Sequence, residues 1–247
     1  MTDQVNGLDG LAITAGLVAL AAVIQLAAGF GFALVCVPLL VLVVDPHVAV
    51  LIALQVGVIG ALYQVVEGRA HIDVGVVGRL LAAGFVGLPL GGWMYARSGP
   101  DVLKVVIGSV ILVAVALLVR GLTLPRSSPL VDLVGGLVTG FLTTCTGTSG
   151  PPIVTILHAR EVSPQVFRAT ASTVLCVLDV VSIAGFAVTG HIPWALVLVT
   201  LCTIPGMALG AWVGVKVRDL LTPEAFRMVV LSLLTWSGLA AIVTALY

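Results

Sequence analysis

Leu11–Val44 runs without an acidic, basic or histidine residue. A membrane-spanning helix takes about 20 residues, so this stretch is too long for one ordinary span. Gly29-Phe-Gly-Phe32 and Pro38 interrupt it, and glycine and proline both oppose helix continuation. The pattern predicts a first helix to about Ala28 and a shorter helix beyond. Broken backbone in hydrocarbon is tolerated only where it is buried in protein or lines a watery cavity. The fold must therefore wrap other segments around this break.

The rest of the chain supplies them. Of its 247 residues 60% are hydrophobic and only 9% are charged, with a mean hydropathy of +1.24. Soluble domains carry about 25% charged residues. The expected class is an all-α polytopic membrane protein, since the long apolar runs lack the alternation of a β-barrel. Val48–Val66, Val74–Ala96 and Val102–Val119 read as further spans of the first half, with Glu67–Asp73 as a polar loop. Met1–Gly10 carries Asp3 and Asp9 but no Lys or Arg, unlike a secretory signal, so the first apolar run reads as retained. Eleven basic and eleven acidic residues balance, so nothing points to nucleic acid. Cys36, Cys145, Cys176 and Cys202 lie within apolar runs and read as small buried hydrophobes.

A second break, Cys145-Thr-Gly-Thr-Ser-Gly-Pro-Pro152, sits deep in apolar sequence. Thr146, Thr148 and Ser149 bring hydroxyls to it. A short helix beginning at Pro151 or Pro152 would aim its positive dipole end at the same place. Those features together describe an anion site. The alternative reading is a helix kink filled by neighbouring side chains.

The two breaks fall at matching places in a duplicated chain. Gly87-Leu-Pro-Leu-Gly-Gly-Trp93 pairs with Gly206-Met-Ala-Leu-Gly-Ala-Trp212, and His71-Ile72 with His191-Ile192. Leu103-Lys104 pairs with Phe226-Arg227, each pair opening a last helix. Thr123–Pro129 is the proline- and serine-rich join, giving repeats 1–124 and 125–247. Duplication with an interrupted segment in each half is the pattern of a secondary transporter. If each interrupted segment is re-entrant or crosses twice, the halves are inverted, and nine Lys and Arg residues face two across the membrane. If each crosses once, the split is seven against four. The positive-inside rule prefers the inverted form. Both arrangements place the N- and C-termini outside the cytoplasm.

Asp179 lies near the middle of the apolar run Val166–Val188. A charge there costs at least about 2.5 kcal/mol on insertion scales, so its default reading is functional. At 100° per residue it shares a polar stripe with Arg168, Ser172 and Ser182. Arg168 is about 16 Å away along that helix, too far to pair. Asp179 therefore needs a partner from another segment or must go without its charge, and a structural hydrogen bond to a broken helix would satisfy it too. Gln55 falls on the matching face of the first half by the repeat alignment. His47, His71, His158 and His191 sit at span ends without helical pairing, so metal ligation is not indicated. The paired glycines read as close helix packing, and Trp93, Trp194, Trp212 and Trp236 as interface anchors and core.

The break Gly29-Phe-Gly-Phe-Ala-Leu-Val-Cys-Val-Pro38, the break ending Gly147-Thr-Ser-Gly-Pro-Pro152, Arg168-Ala-Thr170 and the two glycine–tryptophan repeats resemble the sulfite exporter family (TauE/SafE). The resemblance covers almost the whole chain. It implies a permease for sulfite, organosulfonates or similar small anions. Family members often have a glycine-richer second break, and the hydroxyls here favour an oxyanion. The expectation is a small-anion transporter of a bacterial-type cytoplasmic membrane, driven by a proton gradient and needing no cofactor. Gly29, Phe30, Gly31, Gln55, Thr146, Gly147, Thr148, Ser149 and Gly150 would form the site. Arg168 would attract or gate the anion, and Asp179 would carry the proton. Lipid surrounds the chain, and a homodimer is compatible with it. Two other readings stay open. Gly147-Thr-Ser-Gly150 spells the G-x-S-G of intramembrane serine proteases, with Ser149 as nucleophile and His191 as base, although Pro151-Pro152 argues against it. A passive anion channel would differ only in lacking coupling.

Overall fold

The computed structural model describes residues 8–28, 31–120, 128–160, 162–220 and 223–246. They form ten α-helices, and no strand occurs among them. The helices are α1 (Leu8–Ala28), α2 (Phe32–Leu40), α3 (Pro46–Gly68), α4 (Val74–Arg97), α5 (Pro100–Arg120), α6 (Pro129–Thr146), α7 (Gly150–Ala159), α8 (Pro164–Val188), α9 (Trp194–Leu220) and α10 (Pro223–Leu246). Among the described residues six helices are long and apolar enough to cross a membrane. The predicted spans of the first half sit within a few residues of α3, α4 and α5. The join between the two halves expected at Thr123–Pro129 lies mostly outside the described residues, and Gly29 and Phe30 lie wholly outside them.

Local chemistry sets the helix starts. Asp45, Asp73, Ser128 and Ser163 each cap a helix with a side-chain oxygen that accepts a backbone N–H. Proline follows in the first turn of α3, α6 and α8, where its missing N–H costs nothing. Hydroxyls inside the apolar helices are satisfied in place. Thr139, Thr143 and Thr146 each donate to the carbonyl four residues back.

Small residues set the packing. A Cβ added at Gly87 or Gly91 of α4 would collide with backbone oxygens of Leu137 and Phe141, so α4 and α6 touch backbone to backbone. Gly206 and Gly210 of α9 meet the carbonyls of Ala15 and Ala19 on α1 in the same way. Both pairs run parallel, because residue numbers rise together along each contact. α3 and α8 run antiparallel: Gly57 lies beside Asp179, Gln64 beside Ser172 and Gly68 beside Ala169. Gly108 of α5 packs on Gly238 and Ile242 of α10. The glycine pairs expected to pack closely do so, except Gly92, whose added Cβ would meet nothing. Cys36, Cys145 and Cys176 are buried as expected, but Cys202 is exposed, on the outer face of α9.

Helices α6 and α7 form a tight hairpin. Ile156 of α7 presses on Gly135 of α6. At its open end Arg160 donates to both oxygens of the fully buried Asp132, at 2.5 and 2.6 Å. Arg79 of α4 donates to the same carboxylate at 2.6 Å. One acid thus ties three helices. At the opposite end of α3 and α4, His47 sits between Asp45 and the carbonyl of Tyr95, while the Tyr95 hydroxyl donates to the carbonyl of His47. Tyr95 also packs against the rings of Phe186 and His191.

Candidate functional site

The tip of the α6–α7 hairpin is shaped by Gly147, whose φ of +67° lies in the left-handed region that glycine reaches without strain. Its N–H closes α6 onto Thr143 O at 3.1 Å. Thr146 spends its hydroxyl on Leu142 O, so in the 2.7 Å contact between the two threonine hydroxyls Thr148 is the donor. Both threonines are fully buried and hold the turn together. Ser149 differs. It stands at the N-terminus of α7, bonds to no described residue, and lines a cavity.

That cavity, about 40 Å³, lies where the tip of the α6–α7 hairpin and the start of α2 meet the α3–α8 pair. It has room for a few waters or one small ion. Gly31 and Phe32 reach it from the start of α2, and Gly147, Ser149 and Gly150 from the start of α7. Gly31 has a φ of +93°, again a conformation that suits glycine. Gln64, Ser172 and Asp179 line it from α3 and α8, and Gln25 from α1. The N-terminus of α2 brings backbone N–H groups free of helical partners, and that of α7 brings the N–H of Gly150, since Pro151 and Pro152 carry none; both favour negative charge.

Asp179 is the one charged side chain among the lining residues. It is 8% exposed and takes no hydrogen bond or ion pair from any described residue. Gly57 leaves space beside it, since a Cβ there would stand 3.7 Å from Asp179 Oδ2. Ser172 donates to Gln64 Oε1 at 2.6 Å, so the Gln64 oxygen is occupied. Gln25 is 5% exposed, and its Oε1 has no partner among the described residues.

The structure thus brings together Gly31, Gly147, Ser149, Gly150 and Asp179. Gln55 lies elsewhere on α3 and returns its amide to Leu51 O. Arg168 is exposed near the start of α8, away from the cavity. Thr146 and Thr148 turn inward to each other. Sequence reasoning passed over Gln25 and Gln64. For Gln25 a signal was available: it is the lone amide in the apolar run Leu11–Val44, where polar side chains carry a functional presumption, whereas Gln64 lies close to the polar end of α3 beside Glu67. It also counted Arg79 and Arg160 only as orientation charges and overlooked Asp132.

Ser149 and His191 belong to different places. His191 bonds to Thr189 at 2.9 Å and lines a second, apolar cavity of about 600 Å³ between α4 and α8, which does not include Ser149. A serine nucleophile needs its base within hydrogen-bond reach.

Six apolar spans around broken helices that share a small cavity with a few polar groups are the build of a multi-pass membrane permease. The chain belongs to a family of such transporters: the family model described as Sulfite exporter TauE/SafE matches residues 14–241. Comparison with curated proteins and with solved structures gave no match.

Proposed function

We propose that this permease moves a small oxyanion, such as sulfite or an organosulfonate, together with a proton held at Asp179. The observation that carries the reading is the shared cavity, where both helix breaks face one unpartnered carboxyl. The breaks supply N–H donors and the Ser149 hydroxyl for the anion. A carboxylate 4 Å from a bound monoanion would repel it by about 4 kcal/mol at an effective dielectric near 20. Neutralising Asp179 with a proton removes that repulsion, which couples anion binding to proton uptake.

The same reading takes 1–124 and 125–247 as inverted repeats with a re-entrant hairpin in each. Exchanging the halves matches α1 with α6, α2 with α7, α3 with α8, α4 with α9 and α5 with α10. The parallel α4–α6 contact then becomes the parallel α1–α9 contact, and the α3–α8 and α5–α10 pairs become themselves. Because α3 and α8 are antiparallel, the axis that exchanges them lies across the helices, in the membrane plane. A further match is the cation stacked on tryptophan: Arg97 over Trp93 in one half and Lys216 over Trp212 in the other. Arg79 and Arg160 meeting at one end of the bundle agrees with the nine-to-two distribution of basic residues. That end is cytoplasmic under the positive-inside rule, with both termini outside, in the cytoplasmic membrane.

The test is uptake of labelled sulfite and methanesulfonate into proteoliposomes, with and without a pH gradient, for the wild type and Asp179→Asn. Asn keeps size and hydrogen bonding but holds no exchangeable charge. Gradient-driven uptake should vanish in Asp179→Asn while the protein still folds. Gradient-insensitive uptake by the wild type, or full gradient-driven uptake by Asp179→Asn, would overturn the coupling.

A further inference from the structure

The charge inventory of the cavity narrows the ligand. Its lining holds one carboxyl and, among the described residues, no lysine or arginine. Arg168, the cation nearest in sequence to that part of α8, is exposed and does not line it. The polar side chains that do are neutral: Gln25, Gln64, Ser149 and Ser172. Neutral donors and helix N-termini offset part of a negative charge, and with no cation in the lining a second charge costs more to bury than the first.

Gln25 gives this inventory its second, independent mark. It is a buried amide whose Oε1 has no hydrogen-bond donor among the described residues. A buried acceptor without a donor is costly and calls for a partner. The protein makes room for it: a Cβ at Gly60 would stand 2.9 Å from Gln25 Oε1 and 3.1 Å from its Nε2. Gln25 is among the residues lining the cavity, so the group that α1 brings there is a neutral amide and not a cation.

Resting on the anion-site reading above, we propose that the cavity selects singly charged oxyanions over doubly charged ones. Gln25 is the specificity-determining residue: it occupies with a neutral amide the position from which a cation would admit a dianion. The proton that travels with the ligand, on its own oxygen or on Asp179, is part of what the site recognises.

The experiment compares two probes of nearly the same shape on the detergent-solubilised full chain by titration calorimetry. Methanesulfonate carries one charge throughout, and methylphosphonate carries two at about pH 9, above its second ionisation. At that pH the wild type should bind methanesulfonate at least ~10-fold more tightly, and at about pH 6 the gap should shrink as methylphosphonate takes up a proton. Gln25→Lys should close or reverse the gap at high pH. Equal or tighter binding of the doubly charged probe by the wild type would overturn the inference while leaving an anion site in place. If neither probe bound at either pH, the anion-site reading itself would fall, and this inference with it. The wild-type comparison stands even if Gln25→Lys does not fold.

Discussion

Replacing Asp132 by Asn tests whether the buried acid holds the α6–α7 hairpin to α4. Asp132 is fully buried, while the side chains of Arg160 and Arg79 are 12% and 40% exposed. Asn retains one carbonyl acceptor, which in the place of Oδ2 keeps two of the three N–H contacts in weaker, uncharged form while its amide faces Arg160 as a donor. Arg79 can turn to water; Arg160 cannot, and its Nε already lacks a partner. Breaking a buried ion pair by removing one member costs about 3–5 kcal/mol. The exposure of Arg79 places the expected loss at the lower end, about 3 kcal/mol, or roughly a hundredfold in the folding equilibrium. Denaturant or thermal unfolding in lipid bicelles would measure it. The double variant Asp132→Leu/Arg160→Met should be markedly more stable than the sum of its single variants, because the penalty comes from stranding one charge. A change within about 0.5 kcal/mol in Asp132→Asn, or strict additivity in the double variant, would refute the reasoning.

Two further comparisons use neighbouring residues as internal controls. Gly91→Ala should cost about 1–3 kcal/mol in the same unfolding assay, because its methyl would drive α4 off Phe141 O and the Thr144 hydroxyl, whereas Gly92→Ala should change little. Equal effects would mean that the α4–α6 contact is not set by glycine. Ser149→Ala should weaken oxyanion binding by about 1.5–3 kcal/mol, the worth of a hydrogen bond to a charged group. Thr148→Val should chiefly lower stability, by about 1 kcal/mol, since its hydroxyl is already given to Thr146. Calorimetric titration of both variants with methanesulfonate checks this; unchanged binding in Ser149→Ala would remove that hydroxyl from the site.

The helical membrane class was legible because hydrocarbon leaves so few choices. A chain with 9% charged residues has to satisfy its backbone internally. Breaks were legible for the same reason: Gly31 and Gly147 adopt left-handed conformations where the sequence interrupts two apolar runs. What the sequence hid was direction. Thr146, Thr148 and Ser149 look equivalent in a string, yet the first two close on each other and only the third faces the cavity. Gln55 and Gln64 are separated by nine positions on one helix, and only the second lines the cavity. Asp132 escaped because two of its partners come from α4 and α7, 53 positions before it and 28 after it. Such a triad has no local sequence pattern.

The α1–α9 contact has a consequence for how the molecule is made. Ala15 meets Gly206, so α1 packs against a helix made 191 residues later. At roughly 5–20 residues per second, about 10–40 s of synthesis separate them. During that interval the small-residue face of α1 has only lipid or a surrogate partner to lie against. The α4–α6 pair, by contrast, closes after little more than α5 has been added. Assembly is therefore late and all-or-none at one seam and early at the other. A nascent chain stopped before α9 leaves the small-residue face of α1 uncovered, and quality control in the membrane has a long window in which to remove it.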